Sequence, residues 1–388
     1  MKKINSIFIF ILIIVLLIVQ VNTMATARTG DSLSNTPHTN NGNKWRIGYA
    51  ESEPFFNFTG SLHGLVFGLK EMGWISVELE KMPYKPGQED SLAMWNWLAS
   101  QDTGNYIEFV QDAYYSLYRP EDEDSVQKRL AEKKDLDLMI VMGTYAGQVL
   151  ANDNHRTPIM IFSASNAVSS GIITKDTDSG KDHVWAHMDS NRYKRQIQVF
   201  HDIFQFKKLG IVYEDSPVGR IYAALDDLEE LSKELGYEII TQKVDEAKNH
   251  EDRERYHREV LEANKKLAKQ VDAMYLTAGT RDMEKISFLL EPFYEAGIPI
   301  FSQLGANEVK HGALLSLYRA DFNGVGRFGA DNIAKVLSGA QPRELPQVYG
   351  DTPSIVMNFK VAERIGYKVP FEILLSADGI YHSIEGTK

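Results

Sequence analysis

Gly324-Val325-Gly326-Arg327-Phe328-Gly329 has the GxGxxG spacing that lets a backbone approach a pyrophosphate, and it follows the strand-like run Leu314 to Tyr318. The motif lies late in the chain, behind a long polar loop, and close approach of two helices requires glycines equally well. His183 and His187, with Asp189 nearby, would supply three metal ligands on a helix. The preceding residues, Thr174 to Asp182, have loop composition, so an exposed pair at the entrance to the next helix is the expectation. GxSxG, P-loop and HExxH patterns do not occur, and there is no cysteine. Disulfides, thiolate metal sites, cysteine nucleophiles and a lipid-attachment cysteine are thereby excluded. The residues offer no catalytic constellation, no metal site and no cofactor.

What remains is binding chemistry at loops. Glu51-Ser52-Glu53-Pro54-Phe55-Phe56-Asn57 and Gly143-Thr144-Tyr145-Ala146 each follow an apolar strand and feed a helix. A helix start presents unpaired N–H groups and a positive dipole end, which suits a carboxylate or another acceptor at Thr144. Capping uses the same residue types, so Thr144 and Asn57 fit either role. Phe55, Phe56 and Tyr145 add apolar faces beside them. Asp215, Thr280 and Gln303 stand at corresponding places in the second half of the chain.

The elements that must position these loops occur twice. A strand at Trp45 to Ala50 leads through a loop to a helix ending at Gly73, then to a strand at Ile75 to Leu79. The order recurs as a strand at Leu209 to Tyr213, a loop through Asp215-Ser216-Pro217, a helix ending at Gly236, and a strand at Glu238 to Thr241. Phe58, Leu62, Leu65, Val66, Leu69 and Met72 form one helical stripe, and the nearly continuous apolar runs at 137–142 and 158–162 read as buried parallel strands. Two α/β lobes of one plan place a ligand in the cleft between them. Glu121 to Asp124 read as an acidic helix start, and Trp95, Trp97, Tyr106, Tyr114, Tyr115 and Tyr118 as aromatic core.

With a formal charge of −11, the chain is a poor partner for nucleic acid. Lys2 and Lys3, the apolar run Ile7 to Val19 and Ala25-Thr26-Ala27 form a signal-peptide pattern cut after residue 27, with an uncleaved anchor as the competing reading. Residues 28–43 read as a solvated linker. A mature chain starting at Arg28 would lie free in the periplasm.

Lys208 to Tyr213, Val271 to Tyr275, Gly297 to Phe301, Lys310 to Leu314 and Val356 to Gly366, together with Gly143-Thr144 and Gly326-Arg327, resemble the tryptophan/tyrosine-type substrate-binding proteins of ABC transporters, which are type I periplasmic binding proteins. The resemblance runs from about Trp45 to Tyr381. It implies two Rossmann-like lobes with parallel sheets joined by crossover hinge strands, a small-molecule ligand held between them, no enzymatic chemistry, and an ABC permease in the inner membrane as partner. A sensor of the same fold signalling to a membrane kinase or cyclase is the alternative. The expected division is 45–167 with 312–340 for the first lobe and 168–311 with 341–388 for the second. The expected ligand-binding set is Phe55, Phe56, Asn57, Thr144, Tyr145, Ser165, Asn166, Asp215, Gly279, Thr280 and Gln303. Relatives tend to carry acidic groups where this chain has Asn166, Gly279-Thr280 and Ser302-Gln303, so a buried counter-charge for an ammonium group is not expected. The expected ligand has a flat or apolar body, aromatic or amino-acid-like, with an anionic or acceptor end.

Overall fold

Two runs of apolar residues build two parallel sheets whose strands follow the same spatial order. In the computed structural model, which describes residues 35–247, 252–277, 283–318, 322–350 and 353–386, the first sheet contains β1 (Trp45–Glu51), β2 (Ile107–Ser116), β3 (Leu138–Met142), β4 (Ile159–Phe162) and β5 (Val184–Ala186) in the order β2-β1-β3-β4-β5. The second contains β6 (Lys208–Glu214), β7 (Glu238–Val244), β8 (Ala273–Leu276), β9 (Ile300–Ser302), β10 (Leu315–Tyr318), β11 (Ser354–Asn358) and β12 (Ala377–Tyr381), ordered β12-β11-β10-β9-β8-β6-β7. β7-β6-β8-β9-β10 therefore reproduces β2-β1-β3-β4-β5, and β11 joins antiparallel at the end of the series.

Burial on both faces explains the apolar strands. Ile47 and Tyr49 of β1 and Ile140 and Met142 of β3 pack toward the helix Phe56–Glu71, while Ala50, Met139 and Val141 belong to the cluster on the opposite face. The second sheet has one large core that includes Phe200, Ile211, Tyr275, Phe293 and Phe301. Such side-chain alternation under helices on both faces is what a parallel sheet requires.

Strand pairing revises three expectations. Ile75 to Leu79 forms no strand; β1 takes β2 as its parallel edge partner, with Trp45 opposite Ile107. The residues between carry the helix Ser91–Ser100, so the first half contains an insertion that the second half lacks. β5 pairs with β4, which carries the first body past residue 167, and β10 pairs with β9 and β11, which puts 315–318 in the second body. Residues 35–43 do not behave as a solvated linker: the His38 ring packs edge-on against Trp45 and Trp74, and Trp74 Nε1 donates to Asn35 O at 3.1 Å. Residues 1–34, with the expected signal peptide, lie outside the described residues.

The chain crosses between the sheets after β5, after β10 and again before β11. At the first and third crossings, Met188 N–H donates to Gln347 O at 2.8 Å and Tyr349 N–H to Met188 O at 2.9 Å, a two-stranded link between the bodies. The GxGxxG glycines lie inside the helix Asn323–Leu337, where Gly326 meets Gly64 of the helix Phe56–Glu71. Gly329 likewise faces Leu65 of that helix and Phe162 of β4, so Gly326 and Gly329 serve close packing.

Candidate functional site

Three strand ends of the first sheet are tied into one surface. After β1, Ser52 N–H donates to Met142 O at 3.0 Å, and Ser52 Oγ accepts from Ala146 N–H at 3.0 Å. Thr144 Oγ1 accepts from Ser165 N–H at 3.0 Å, joining the end of β3 to the loop after β4. Gly143 has φ 93°, and a Cβ there would stand 2.5 Å from the Phe58 ring and 2.6 Å from Ser52 Oγ, so only glycine permits this approach. Ser163, at the end of β4, has φ 56° and its hydroxyl lies 2.8 Å from that of Ser61. A non-glycine left-handed residue costs about 1 kcal/mol or more, and such strain concentrates at ligand-binding edges.

Of the expected residues, Phe55 and Phe56 form a tilted pair at 4.6 Å, and Phe55 meets Phe58 edge-on at 5.3 Å. Asn57 lies half-buried in the first turn of the same helix. Thr144 is buried and its hydroxyl oxygen already holds Ser165, which leaves one proton to donate. Tyr145 presents an exposed ring, its hydroxyl donating to Glu123 Oε2 at 2.6 Å. Ser165 is half-buried, and Asn166 Oδ1 accepts from the N–H groups of Val168 and Ser169 at 3.1 and 3.0 Å, closing the turn.

In the second body, Asp215 is exposed after β6 and its carboxylate pairs with Lys243 Nζ at 2.7 Å. Gln303 is buried after β9, its Nε2 donating to Tyr222 O at 2.9 Å. Gly279 and Thr280 lie outside the described residues. Seven of the expected residues thus gather at the carboxyl edge of the first sheet, while Asp215 and Gln303 lie at the carboxyl edge of the second. Gln303 thereby ties the loop after β9 to the last residue of the helix Pro217–Tyr222.

Two buried carboxyls at these edges escape sequence reasoning. Glu51 ends β1 with no exposed surface; Tyr114 Oη donates to its Oε1 at 2.6 Å, and Tyr49 Oη and Ser91 Oγ donate to its Oε2 at 2.9 and 2.5 Å. Burial pushes its pKa up to about 7, against the pull of those hydroxyls. Glu308, just beyond β9, accepts from the Ser302 hydroxyl, and burial pushes it up to about 8. For Glu51 the only hint in sequence is an acidic residue closing an apolar strand; Glu308, inside the helix Ala306–Lys310, carries none.

Because the folded protein holds Glu308 protonated between its ordinary value of 4.5 and about 8, the unfolded chain releases that proton first. The contribution is present below pH 4.5 and is lost as pH rises to about 8, on the order of 4 kcal/mol for a group this deeply buried. Glu308→Gln should therefore gain stability relative to the parent as pH rises across that window. Denaturant titrations of both proteins at acidic and alkaline pH measure the difference, and parallel pH profiles would refute it.

His183 and His187 flank β5 rather than sharing a helix, and each ring meets a different carbonyl, Asn152 O and Tyr349 O, both at 2.9 Å. Among the described residues no group of three His, Asp or Glu side chains could hold a metal ion.

Residues 112–380 match the family model described as ABC transporter substrate binding protein. The chain belongs to that family. No curated protein matches it. Among solved structures it is similar to a conserved domain protein from Vibrio cholerae O1 biovar El Tor, with 17% identity, 87% of this chain and 100% of that chain covered, and a TM-score of 0.64. It is also similar to an ABC domain from Streptococcus pneumoniae solved in complex with L-Trp, with 17% identity, the same two coverages, and a TM-score of 0.62. A ligand-free, open substrate binding protein with adhesive properties from Clostridium difficile gives 17% identity, 87% and 100% coverage, and a TM-score of 0.61. The fold is that of the type I periplasmic binding proteins, with two parallel-sheet bodies.

Proposed function

We propose that this chain is an exported solute receptor that captures a small organic ligand between its two bodies and delivers it to an ABC permease in the inner membrane, without chemistry or cofactor. The observation that carries the reading is the pair of sheets in one strand order, linked at Met188 and Gln347–Tyr349, with loops at the carboxyl ends of their strands. Links of this kind are where hinge closure occurs in two-lobed binders. Family membership and the L-Trp complex of the Streptococcus pneumoniae relative support a solute of amino-acid size.

The first body supplies an apolar face from Phe55, Phe56 and Tyr145, a helix start at Thr144 for an anionic or acceptor group, and the polar groups of Asn57, Ser165 and Asn166. Thr280 is the second body's contribution to the site, and Gln303 acts there by holding the end of the helix Pro217–Tyr222 in place. Asp215 contributes from its rim, since Lys243 already balances its charge.

Thermal melting against free amino acids and aromatic carboxylates tests the site. A solute at about a hundred times its Kd stabilises the native state by ~2.7 kcal/mol. Phe56→Ala should remove most of that shift and leave melting of the free protein nearly unchanged, because the ring lies outside the buried core. A shift of equal size in the variant would place the site elsewhere.

Export is read from the lysine pair and Ala25-Thr26-Ala27. N-terminal sequencing of the exported protein should begin at Arg28; an intact Met1 in the membrane fraction would favour an anchor.

A further inference from the structure

The loop that carries Phe55, Phe56 and Asn57 is fastened at both ends to one short stretch of the inserted segment. At its start, Glu51 Oε2 accepts from Ser91 Oγ at 2.5 Å. Beyond its end, Thr59 Oγ1 donates to Gln88 O at 2.6 Å, and Thr59 is fully buried. Residues 88–91 therefore hold residues 52–58 from one side, Ser52 being tied to Met142 and Ala146 from the other, and the Glu51 carboxyl is the ionisable group that meets residues 88–91. Tyr114 brings β2 into the same cluster, its hydroxyl lying 3.1 Å from Ser91 Oγ as well as bonding Glu51.

The uncharged acid satisfies every member. Glu51 Oε1–H donates to Tyr114 Oη, Tyr114 O–H to Ser91 Oγ, Ser91 O–H to Oε2 and Tyr49 O–H to Oε2, which closes a ring at the existing heavy-atom distances without burying a charge. The ionised carboxylate keeps three donors but places a charge where water does not reach, and Glu53 on the same loop repels it. Separating Ser91 from Glu51, so that water enters, relieves that charge.

We propose that Glu51 is a positioning residue for the ligand-facing loop, holding it against residues 88–91 as the uncharged acid and loosening it on losing the proton. The inference rests on the reading that residues 52–57 face the solute. The groups around Glu51 are Tyr49 on its own strand, Tyr114 on β2 with Arg119 acting on it, Glu53 on the loop, and Glu89 and Asp90 beside Ser91. Asp90 caps the helix Ser91–Ser100 through Ala93 N–H. β3 presents Met142 opposite Glu51 and adds no charge. On the helix Phe56–Glu71, His63 stacks on Tyr84 at 4.3 Å, and burial lowers its pKa below the ordinary histidine value, which disfavours a charge there.

The test needs no solute. Amide hydrogen exchange of residues 52–60 and 88–92, corrected for the intrinsic pH dependence, is measured from about pH 5.5 to about pH 8.5 in the parent, Glu51→Gln and Glu51→Ala. In the parent, protection should fall about tenfold across that range, within the usual span of coupled equilibria. Glu51→Gln, uncharged and of the same shape, should keep the acid-side protection at every pH, and Glu51→Ala should lack it at every pH. Unchanged exchange at the helix Asn323–Leu337 shows that the body stays folded. A flat parental profile overturns the proposal, and so does a Glu51→Gln variant as poorly protected as Glu51→Ala. Neither result bears on whether the protein binds a solute, and failure to find a solute leaves this measurement standing.

Discussion

Gly326→Val should abolish stable folding of the first body. A Cβ at Gly326 would stand 2.1 Å from the carbonyl carbon and oxygen of Gly64, and backbone cannot step aside as a flexible side chain can. Gly60, Gly64 and Gly68 recur every fourth residue along the helix Phe56–Glu71, and each faces Phe322 or the helix Asn323–Leu337. Separating these helices would also strip Leu62, Leu65, Ile333 and Leu337 from their shared core. Overpacking costs about 1–3 kcal/mol where side chains can adjust, and the cost here should exceed about 3 kcal/mol because they cannot. Urea melts monitored by tryptophan fluorescence would read it, since Trp74, Trp95 and Trp185 are all buried in this body. Gly339→Ala is the matched control: nothing lies within 4 Å of a Cβ there, so only the strain of its φ of 98° remains. Equal stability of Gly326→Val and the parent would contradict the helix contact.

Arg129→Ala should destabilise the protein by about 3 kcal/mol, at the lower end of what breaking a buried pair costs. The guanidinium is 8% exposed and forks onto Asp135, Nε to Oδ1 at 2.9 Å and Nη2 to Oδ2 at 2.8 Å, while Nη1 reaches Asp112 O at 2.8 Å. One side chain thus joins the turn after the helix Pro120–Lys128 to β2 and to the segment entering β3. Lys133 at 3.0 Å and Arg46 at 3.4 Å also reach Asp135, which keeps the loss moderate. The Arg129 guanidinium holds the Asp135 carboxyl well below its ordinary value. The stability this gives is present above the unfolded value of 3.8 and is lost as pH falls. The gap between parent and variant should accordingly narrow in strong acid, and a gap that widens there would contradict the assignment.

The period of apolar residues carried much of this fold. Phe58, Leu62, Leu65 and Leu69 defined a helix on a sheet, and the run at 137–142 defined a buried strand, because both patterns follow directly from burial. Ile75 to Leu79 misled because a half-apolar run of five residues suits an extended coil packed on Trp95 and its neighbours as well as a strand, and pairing is decided by distant residues. Assigning β5 and β10 to their sheets failed for the same reason: strands of three and four residues carry no mark of which body they join.

At the site, Phe55, Phe56 and Thr144 were legible as residues at strand-to-helix loops. That Thr144 is occupied by Ser165, and Asp215 by Lys243, depends on partners 21 and 28 residues away. The Glu51 cluster draws on Ser91, which comes from the insertion that the internal repeat did not contain, and on Tyr114 of β2, which holds the place beside β1 expected for Ile75 to Leu79. Ser163 carries a backbone strain that its side chain does not announce.

Solute retention tests the central reading most directly. The exported protein is purified, half is kept native and half is unfolded in urea, and mass spectrometry compares what each releases. One small organic solute per chain should be retained by the native protein and freed on unfolding, and it should rebind the refolded parent one to one and fail to rebind Phe56→Ala. A parent that neither retains nor rebinds any solute, or a Phe56→Ala variant that rebinds it as tightly as the parent, would contradict it.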